Sequence, residues 1–437
     1  MKNYVIKGGK PVVGKIKALG AKNFVTKAMV ASLLADGESQ LFNVPKIGDV
    51  DITAEMISST GAKIFFQDDT LIINSSAIHT HKVTLPQSGS NRIPILMITP
   101  LLHKYGKAEV PILGGCNIGL RKVDFHINAL IKFGATIKEN EGGFTAYADN
   151  LKGCTIELDY PSVGATETCL LLGSVASGTS VIKNAALEPE IQNLILFLKA
   201  MGANIYSSSS RDIIIEGNKN LHPASINVIG DRIDVASWAC LACATNGEIV
   251  VENIEPYLIN NFLSYFQIVG GGFKIYRDNS IKFYRSGPLR STVLETDVFP
   301  GFSTDWQQPF AILLSQAEGV SIIHETVYEN RFGYLSDLNV LGLKSQLSQN
   351  CLGSLPCRYK NQNHKHSAII QGPSELYSDN LFINVPDLRA GLAYIIASAV
   401  ANGVTNIGNY KLIERGYGNL IERCKDLNID FYFSENK

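Results

Sequence analysis

At 437 residues the chain is longer than one hydrophobic core usually organises, so at least two domains are expected. Its 39 Lys and Arg against 40 Asp and Glu leave a formal charge of -1, which excludes the broad basic face of a nucleic-acid or anionic-membrane binder. The 45% hydrophobic and 18% charged content is globular, and the longest apolar run, Ile93 to Leu102, is too short for a membrane span and is broken by Pro94 and Pro100. The opening MKNYVIKGGK has no apolar signal core, so a cytoplasmic protein is expected, with no nucleic acid or membrane among its partners.

Taken in order, the chain repeats one pattern six times. An apolar helix runs into a marker glycine, a short β-rich run follows, often closing on Asn, then a second helix and further strands. The marker glycines are Gly37, Gly106, Gly178, Gly247, Gly319 and Gly403, about 70 residues apart except for a longer last interval. The helices before them are expected over 23–35, 93–104, 165–176, 234–245, 306–317 and 388–401. Such repeats predict an α/β fold of β-α-β-α-β-β units, three on each side of a boundary near Ile229–Arg232, with the apolar helices packed among themselves.

Within the second unit, PILGGCNIGLRKVDFH (111–126) sets Cys116 among glycines and delivers Arg121 and Lys122 to a helix expected from Val123 to Ile131. Glycines allow such a loop to change conformation, and nearby positive charge makes a thiol more acidic. A surface turn holding a small hydrophobe is the plain alternative. In the fourth unit, Cys240 and Cys243 share one face of an apolar helix and read as core. The longer last interval falls in a polar insertion, about 344–366. There Cys351, Cys357, His364 and His366 are zinc-capable residue types, but their spacing matches no standard ligand pattern, so no metal site is assigned.

The starts of the first helices carry Lys22-Asn23, Asn91-Arg92, Ser162-Val163, Asp231-Arg232, Ser303-Thr304-Asp305 and Asp387-Leu388-Arg389. A helix N-terminus already presents unpaired N–H groups and a positive dipole end, so cations there oppose the dipole and suit an anionic ligand. Arg331 and Arg415, after the β-runs of the fifth and sixth units, add guanidinium groups whose planar fork fits carboxylate or phosphate. Asp305 reads either as a helix cap or as a carboxylate placed to take a hydroxyl proton.

Together GAKN (20–23), GGCNIGLRKVDFH (114–126), SVGATE (162–167), NAALEPEI (184–191), DRID (231–234), PGFSTD (300–305), ETVYENRF (325–332), DLRAG (387–391) and ERGY (414–417) resemble the enolpyruvyl transferases. Within that family they are similar to the branch acting on UDP-N-acetylglucosamine. The resemblance implies a two-lobed inside-out α/β barrel of six repeats, with residues 21–230 in one lobe and 1–20 plus 231–437 in the other. It implies transfer of the enolpyruvyl group of phosphoenolpyruvate to the sugar 3-hydroxyl, in peptidoglycan precursor synthesis, with no metal or organic cofactor. By the same resemblance Cys116 would protonate carbon 3 and react with fosfomycin, and Asp305 would accept the hydroxyl proton. Lys22, Asn23, Arg121, Arg389 and Arg415 would hold phosphoenolpyruvate, with Lys22 and Arg389 also serving catalysis. Asn23, Arg92, Arg121, Lys122, Val123, Asp124, Phe125, Tyr160, Pro161, Ser162, Val163, Asp305, Val327 and Arg331 would hold the nucleotide sugar.

Some positions depart from the family pattern. Lys122 replaces a usual proline, Tyr160-Pro161 precedes Ser162, Trp306 follows Asp305, and the 344–366 insertion is long. These cluster on the acceptor side, and two other readings remain open: transfer to another uridine nucleotide such as UMP, and a non-catalytic paralogue that binds nucleotide sugar.

Overall fold

The computed structural model describes residues 2–114, 123–208, 210–386 and 390–434. Among these the chain divides into two compact units, residues 20–114 with 123–229 and residues 2–19 with 230–434. The six helices that precede the marker glycines are labelled α1 to α6: Lys22–Ala31, Pro94–Tyr105, Val163–Val175, Arg232–Ala244, Gln307–Ser315 and Gly391–Val400. Each lies within a few residues of its expected span.

Their composition explains where they sit. Every residue of α4 and α5 is buried, as is α3 from Ala165 onward. A helix that is apolar all round can be stable only when surrounded. In the unit of residues 230–434, α4, α5 and α6 pack on one another; in the other unit α2 packs against both α1 and α3. Each fully buried Leu or Phe on these helices contributes roughly 1.5–3 kcal/mol relative to exposure.

Three sheets belong to each unit. In residues 20–229 the strand orders are Ser225–Asn227, Glu38–Phe42, Thr70–Asn74, Lys63–Gln67; then Lys107–Pro111, Gly143–Tyr147, Thr136–Asn140; then Asn204–Ser207, Ile213–Glu216, Thr179–Lys183, Thr155–Glu157. In the other unit they are Tyr377–Asn384, Asn402–Gly408, Tyr4–Gly8, Asp430–Phe433; then Gly271–Ile275, Ile281–Arg285, Glu248–Glu252, Val13–Lys17; then Val293–Glu295, Gly319–His324, Ser367–Gly372, Lys344–Ser348.

The repeat is the β-α-β-α-β-β unit, but three sheets borrow strands from distant sequence. Val13–Lys17 runs parallel to Glu248–Glu252, Tyr4–Gly8 lies between Asn402–Gly408 and Asp430–Phe433, and Ser225–Asn227 runs parallel to Glu38–Phe42. The second repeat reduces its first strand to a single bridge, Lys82 to Glu109, leaving three strands.

The marker glycines sit in the turns or strand starts that follow the core helices, Gly106 as the C-cap itself, and each is a glycine for a steric reason. Gly37, Gly106, Gly178, Gly319 and Gly403 have positive φ, and at Gly247 a Cβ would fall 2.0 Å from the Val12 carbonyl oxygen. Past the strand that follows, the same tie recurs. Asn43, Asn184, Asn253 and Asn409 take left-handed φ of 56–62° and donate from Nδ2 to the carbonyls of Val228 (2.8 Å), Leu158 (2.7 Å), Ala18 (3.3 Å) and Val385 (3.3 Å). In the fifth repeat Thr326 Oγ1 donates to the Thr296 carbonyl at 2.6 Å instead. Each acceptor ends the parallel strand that leads toward a core-helix start, so these ties set where the helix-start loops lie.

The N-terminal strands are anchored by a buried ion pair. Arg423 donates to Asp234 with two nitrogens, Nη1 to Oδ1 at 3.0 Å and Nη2 to Oδ2 at 2.6 Å. Asp234 also accepts from Trp238 Nε1 at 2.9 Å and from the Leu19 amide at 3.3 Å, while Arg423 Nη2 reaches the Lys17 carbonyl at 3.2 Å. Cys240 and Cys243 lie fully buried on α4, in the core role read from their spacing.

Candidate functional site

Of the residues picked out in the sequence, Cys116, Arg121, Lys122, Asp387, Leu388 and Arg389 lie outside the described residues. The others fall into two sets, one in each unit.

In residues 20–229, Lys22 is the first residue of α1 and is buried; Asn23 beside it is half-buried. No side chain caps α1 at Ala21. Arg92 is half-buried just before α2, next to Asn91, whose Oδ1 accepts from the Ile93 amide at 3.0 Å and whose carbonyl accepts from the Gly114 amide at 2.8 Å. Gly114 is thereby tied to the Arg92 segment. Tyr160, Pro161, Ser162 and Val163 are half-buried at the start of α3, where Ser162 Oγ caps the helix by accepting from Ala165 N at 3.3 Å. Asp124 opens a helix that runs to Lys132, close to the span expected from Val123, with Val123 and Phe125 half-buried.

Two interactions in this unit were not visible in the motifs. His126 Nδ1 lies 2.7 Å from Thr168 Oγ1, and its ring passes so near α3 that a Cβ on Gly164 would sit 2.9 Å from both Cε1 and Nε2. That close approach explains the glycine in SVGATE. Glu167, one turn into α3, is buried 3.7 Å from Lys27 Nζ, and Lys27 donates to the Asn23 carbonyl at 2.8 Å. Burial pushes the Glu167 carboxyl up to about 7, aided by Glu190 and Glu188 and opposed by Lys27.

In residues 230–434, Asp305 precedes α5 and is 8% exposed, yet it does not cap the helix: Trp306 occupies that position and Asp305 pairs with Arg331, itself 3% exposed. The cap reading of Asp305 is therefore corrected, because a buried guanidinium competes better for the carboxylate than the helix amides do. Arg331 Nη2 donates to Asp305 Oδ1 and to the Thr304 carbonyl at 3.4 Å. With its amide oxygen turned toward the guanidinium, Gln308 accepts from Arg331 Nε at 3.1 Å and Nη2 at 2.9 Å. Gln307 Nε2 reaches the Arg331 carbonyl at 3.4 Å, and Tyr334 OH donates to Gln307 Oε1 at 2.9 Å.

Glu325 holds the same segment from below. Fully buried, it accepts from the amides of Val327 (2.8 Å) and Tyr328 (3.1 Å) and from Thr304 Oγ1 (2.8 Å). Burial raises its carboxyl above the ordinary range, with Arg331 and these donors pulling the other way. Thus Val327 and Arg331 are positioned by Glu325 and Thr304, which lie inside the recognised motifs but were given no role there, and by Gln308 and Tyr334, which carry no sequence signal beyond adjacency to those motifs. Arg232 follows the cap Asp231, and its guanidinium lies 5.2 Å from the Trp306 ring centre, a contact that accounts for the unusual tryptophan after Asp305. Arg415, half-buried, follows the short helix Tyr410–Glu414, which Tyr4 OH anchors by donating to Glu414 Oε1 at 2.7 Å. Among the described residues no helix is long and apolar enough to cross a membrane.

Comparison with known proteins identifies the family of the chain that carries these helix-start cations and buried carboxylates. The profile of EPSP synthase (3-phosphoshikimate 1-carboxyvinyltransferase) matches residues 6–424. A UDP-N-acetylglucosamine 1-carboxyvinyltransferase of Protochlamydia amoebophila is 46% identical over 97% of this chain and 92% of its own length. Its counterpart in Chlamydia abortus is 44% identical over 96% and 95%. Among solved structures, the enolpyruvyl transferase NikO from Streptomyces tendae superposes with a TM-score of 0.86 over 100% of this chain and 99% of its own, at 21% identity. An EPSP synthase from Acinetobacter baumannii does so with a TM-score of 0.72 at 15% identity, full length on both sides. Motifs, six-repeat fold and full-length similarity agree: this chain is an enolpyruvyl transferase, a member of the EPSP synthase (3-phosphoshikimate 1-carboxyvinyltransferase) family.

Proposed function

We infer that this enzyme transfers the enolpyruvyl group of phosphoenolpyruvate to the 3-hydroxyl of UDP-N-acetylglucosamine, releasing phosphate, in the cytoplasmic synthesis of peptidoglycan precursors. The observation that carries the acceptor's identity is the 44–46% identity, over nearly the whole chain, to relatives named for that substrate.

The chemistry needs an acid and a base with opposite tasks. The acceptor hydroxyl loses its proton to Asp305 as its oxygen attacks carbon 2, and carbon 3 gains a proton from the Cys116 thiol. Loss of a proton from carbon 3 then expels phosphate from carbon 2 and restores the double bond. The Arg331 contact with Oδ1 fixes the plane of the Asp305 carboxylate, so its orientation is set before substrate arrives. Lys22, Arg121, Arg389 and Arg415 supply the positive charge for the phosphate and carboxylate of phosphoenolpyruvate. The nucleotide sugar is held by Asn23, Arg92, Arg121–Phe125, Tyr160–Val163 and Val327, with Arg331 acting chiefly through Asp305.

Phosphate release from phosphoenolpyruvate, measured with a panel of uridine nucleotides, tests the reading. Turnover with UDP-N-acetylglucosamine is expected. Turnover with UMP alone would move the enzyme to a different acceptor, and binding of the nucleotide sugar without any turnover would make it a non-catalytic relative.

A further inference from the structure

The insertion at 344–366 has a structural answer that its sequence spacing hides. Four side chains converge on it: His324 at the end of the strand Gly319–His324, Cys351 and Cys357 in the loop after Lys344–Ser348, and His366 just before Ser367–Gly372. One ligand atom from each lies within 4.8 Å of all the others, and this is the only such group among the described residues. His324 and Ser367 are paired in register across the sheet, so the two histidines meet through strand pairing while the loop carries both thiols to them. His364, which the spacing put forward, is outside the group. His324, distant in sequence, completes it.

The hydrogen bonds around the group prepare the imidazoles as ligands. Ser367 Oγ donates its proton to the Asn350 carbonyl at 2.7 Å, so toward His324 Nδ1, 2.9 Å away, it can only accept. His324 therefore carries its proton on Nδ1. Its Nε2 is a bare lone pair, buried, with no hydrogen-bond partner. His366 Nδ1 faces the His364 carbonyl at 2.7 Å and must likewise be protonated, leaving Nε2 as a lone pair 3.3 Å from Cys351 Sγ. Fixing the tautomer through the other ring nitrogen is how proteins orient metal-binding histidines. Cys357 Sγ accepts from the Tyr359 amide at 3.4 Å, which fixes where the sulfur sits in the loop.

We propose that His324, Cys351, Cys357 and His366 form a structural zinc site. Thiolate and imidazole donors select zinc over magnesium or calcium, and four protein ligands leave no open position for catalysis. With Zn–N of about 2.0–2.1 Å and Zn–S of about 2.3 Å, a tetrahedral site has ligand-to-ligand edges of roughly 3.3–3.8 Å. The Cys351–His366 edge already has that length, so modest contraction of the others completes the tetrahedron. Both histidines are fully buried, and both cysteines are half-buried and reduced.

The site would hold more than the loop. Glu295 accepts from Ser354 N, Ser354 Oγ and Leu355 N, each at 2.8 Å, clamping the loop between the two cysteines. Beyond Cys357, the Tyr359 ring packs against His364 and His366, and its hydroxyl donates to the Val327 carbonyl at 2.7 Å. The metal thus steadies the segment that carries Val327 and, four residues on, Arg331.

The test uses the full-length enzyme with any histidine tag removed, purified without chelator in reducing buffer. Elemental analysis is expected to find about one zinc per chain, and the cobalt-substituted enzyme to show the thiolate charge-transfer and intense visible bands of a tetrahedral site. Cys351→Ser/Cys357→Ser should lose the metal and the charge-transfer band, and Cys357→Ser alone should halve that band. In the native enzyme, chelation should expose two additional thiols to a colorimetric thiol reagent. Failure of the native enzyme to retain zinc or cobalt after reconstitution would overturn the proposal, as would a disulfide between Cys351 and Cys357 in the protein as isolated under reducing conditions. Both outcomes are read on the unaltered chain and do not depend on whether a variant folds.

Discussion

Arg331 donates from Nη2 to Oδ1 of Asp305, joining two buried side chains that are 26 positions apart. The pair sits at the start of α5, and its guanidinium is supported in turn by Gln308 and by Thr304. A carboxylate held this way keeps one orientation, which is what a base acting on a single hydroxyl requires.

Asp305→Asn should therefore reduce turnover by roughly 10²–10⁴-fold, the usual contribution of a positioned acid or base. Nucleotide-sugar affinity, measured by calorimetry, should change little, because the amide keeps the shape and an oxygen for Arg331. An equal loss in affinity and none in turnover would remove Asp305 from the chemistry.

Cys116→Ser is expected to leave nucleotide binding intact while severely lowering phosphate release, since a serine hydroxyl is a much weaker acid. The native enzyme should lose activity irreversibly with fosfomycin and gain its mass on the peptide containing Cys116. Near-normal turnover of the serine variant would refute the role of the thiol.

The Glu167 carboxyl, pushed to about 7 by burial, makes stability depend on pH. Because the folded protein binds this proton more tightly than the unfolded chain, the contribution is fully present below the ordinary glutamate range. It is lost progressively as pH rises to about 7 and is constant above that. The total is on the order of 3 kcal/mol. Glu167→Gln should flatten the Tm profile between pH 4.5 and 7. A variant with the same slope as the native enzyme would show that another group titrates there.

Arg423→Met should cost about 3–5 kcal/mol in urea unfolding, because it leaves the Asp234 carboxylate buried without its cation. Adding Asp234→Asn should recover part of that loss. Additive losses in the double variant would mean that the two residues act separately rather than as a pair.

The repeated asparagine tie gives a local test. Asn184→Ala should destabilise by about 2–3 kcal/mol, combining left-handed strain with the lost bond to Leu158. Asn184→Gly should cost less, because glycine accepts that φ without strain. Equal losses would assign the whole effect to the hydrogen bond.

Much of this protein was legible without coordinates. The marker glycines, the apolar helices before them and the asparagines after the strands recur because each repeat solves the same local problem, and local constraints leave periodic traces in sequence. The helix spans followed to within a few residues, and the motifs led to the family. The sequence also placed Lys22, Arg92 and Ser162 at helix starts, and the helices begin there. Tertiary structure alone decided which distant partners meet. The family resemblance grouped residues 1–20 with 231–437, but the fold chose the partners: Tyr4–Gly8 pairs with Asn402–Gly408 and Val13–Lys17 with Glu248–Glu252, Arg331 takes Asp305 out of its helix-cap role, and His324 joins two cysteines and His366. Such contacts depend on sheet register and on competition among buried charges, and neither is encoded within any single stretch of the chain.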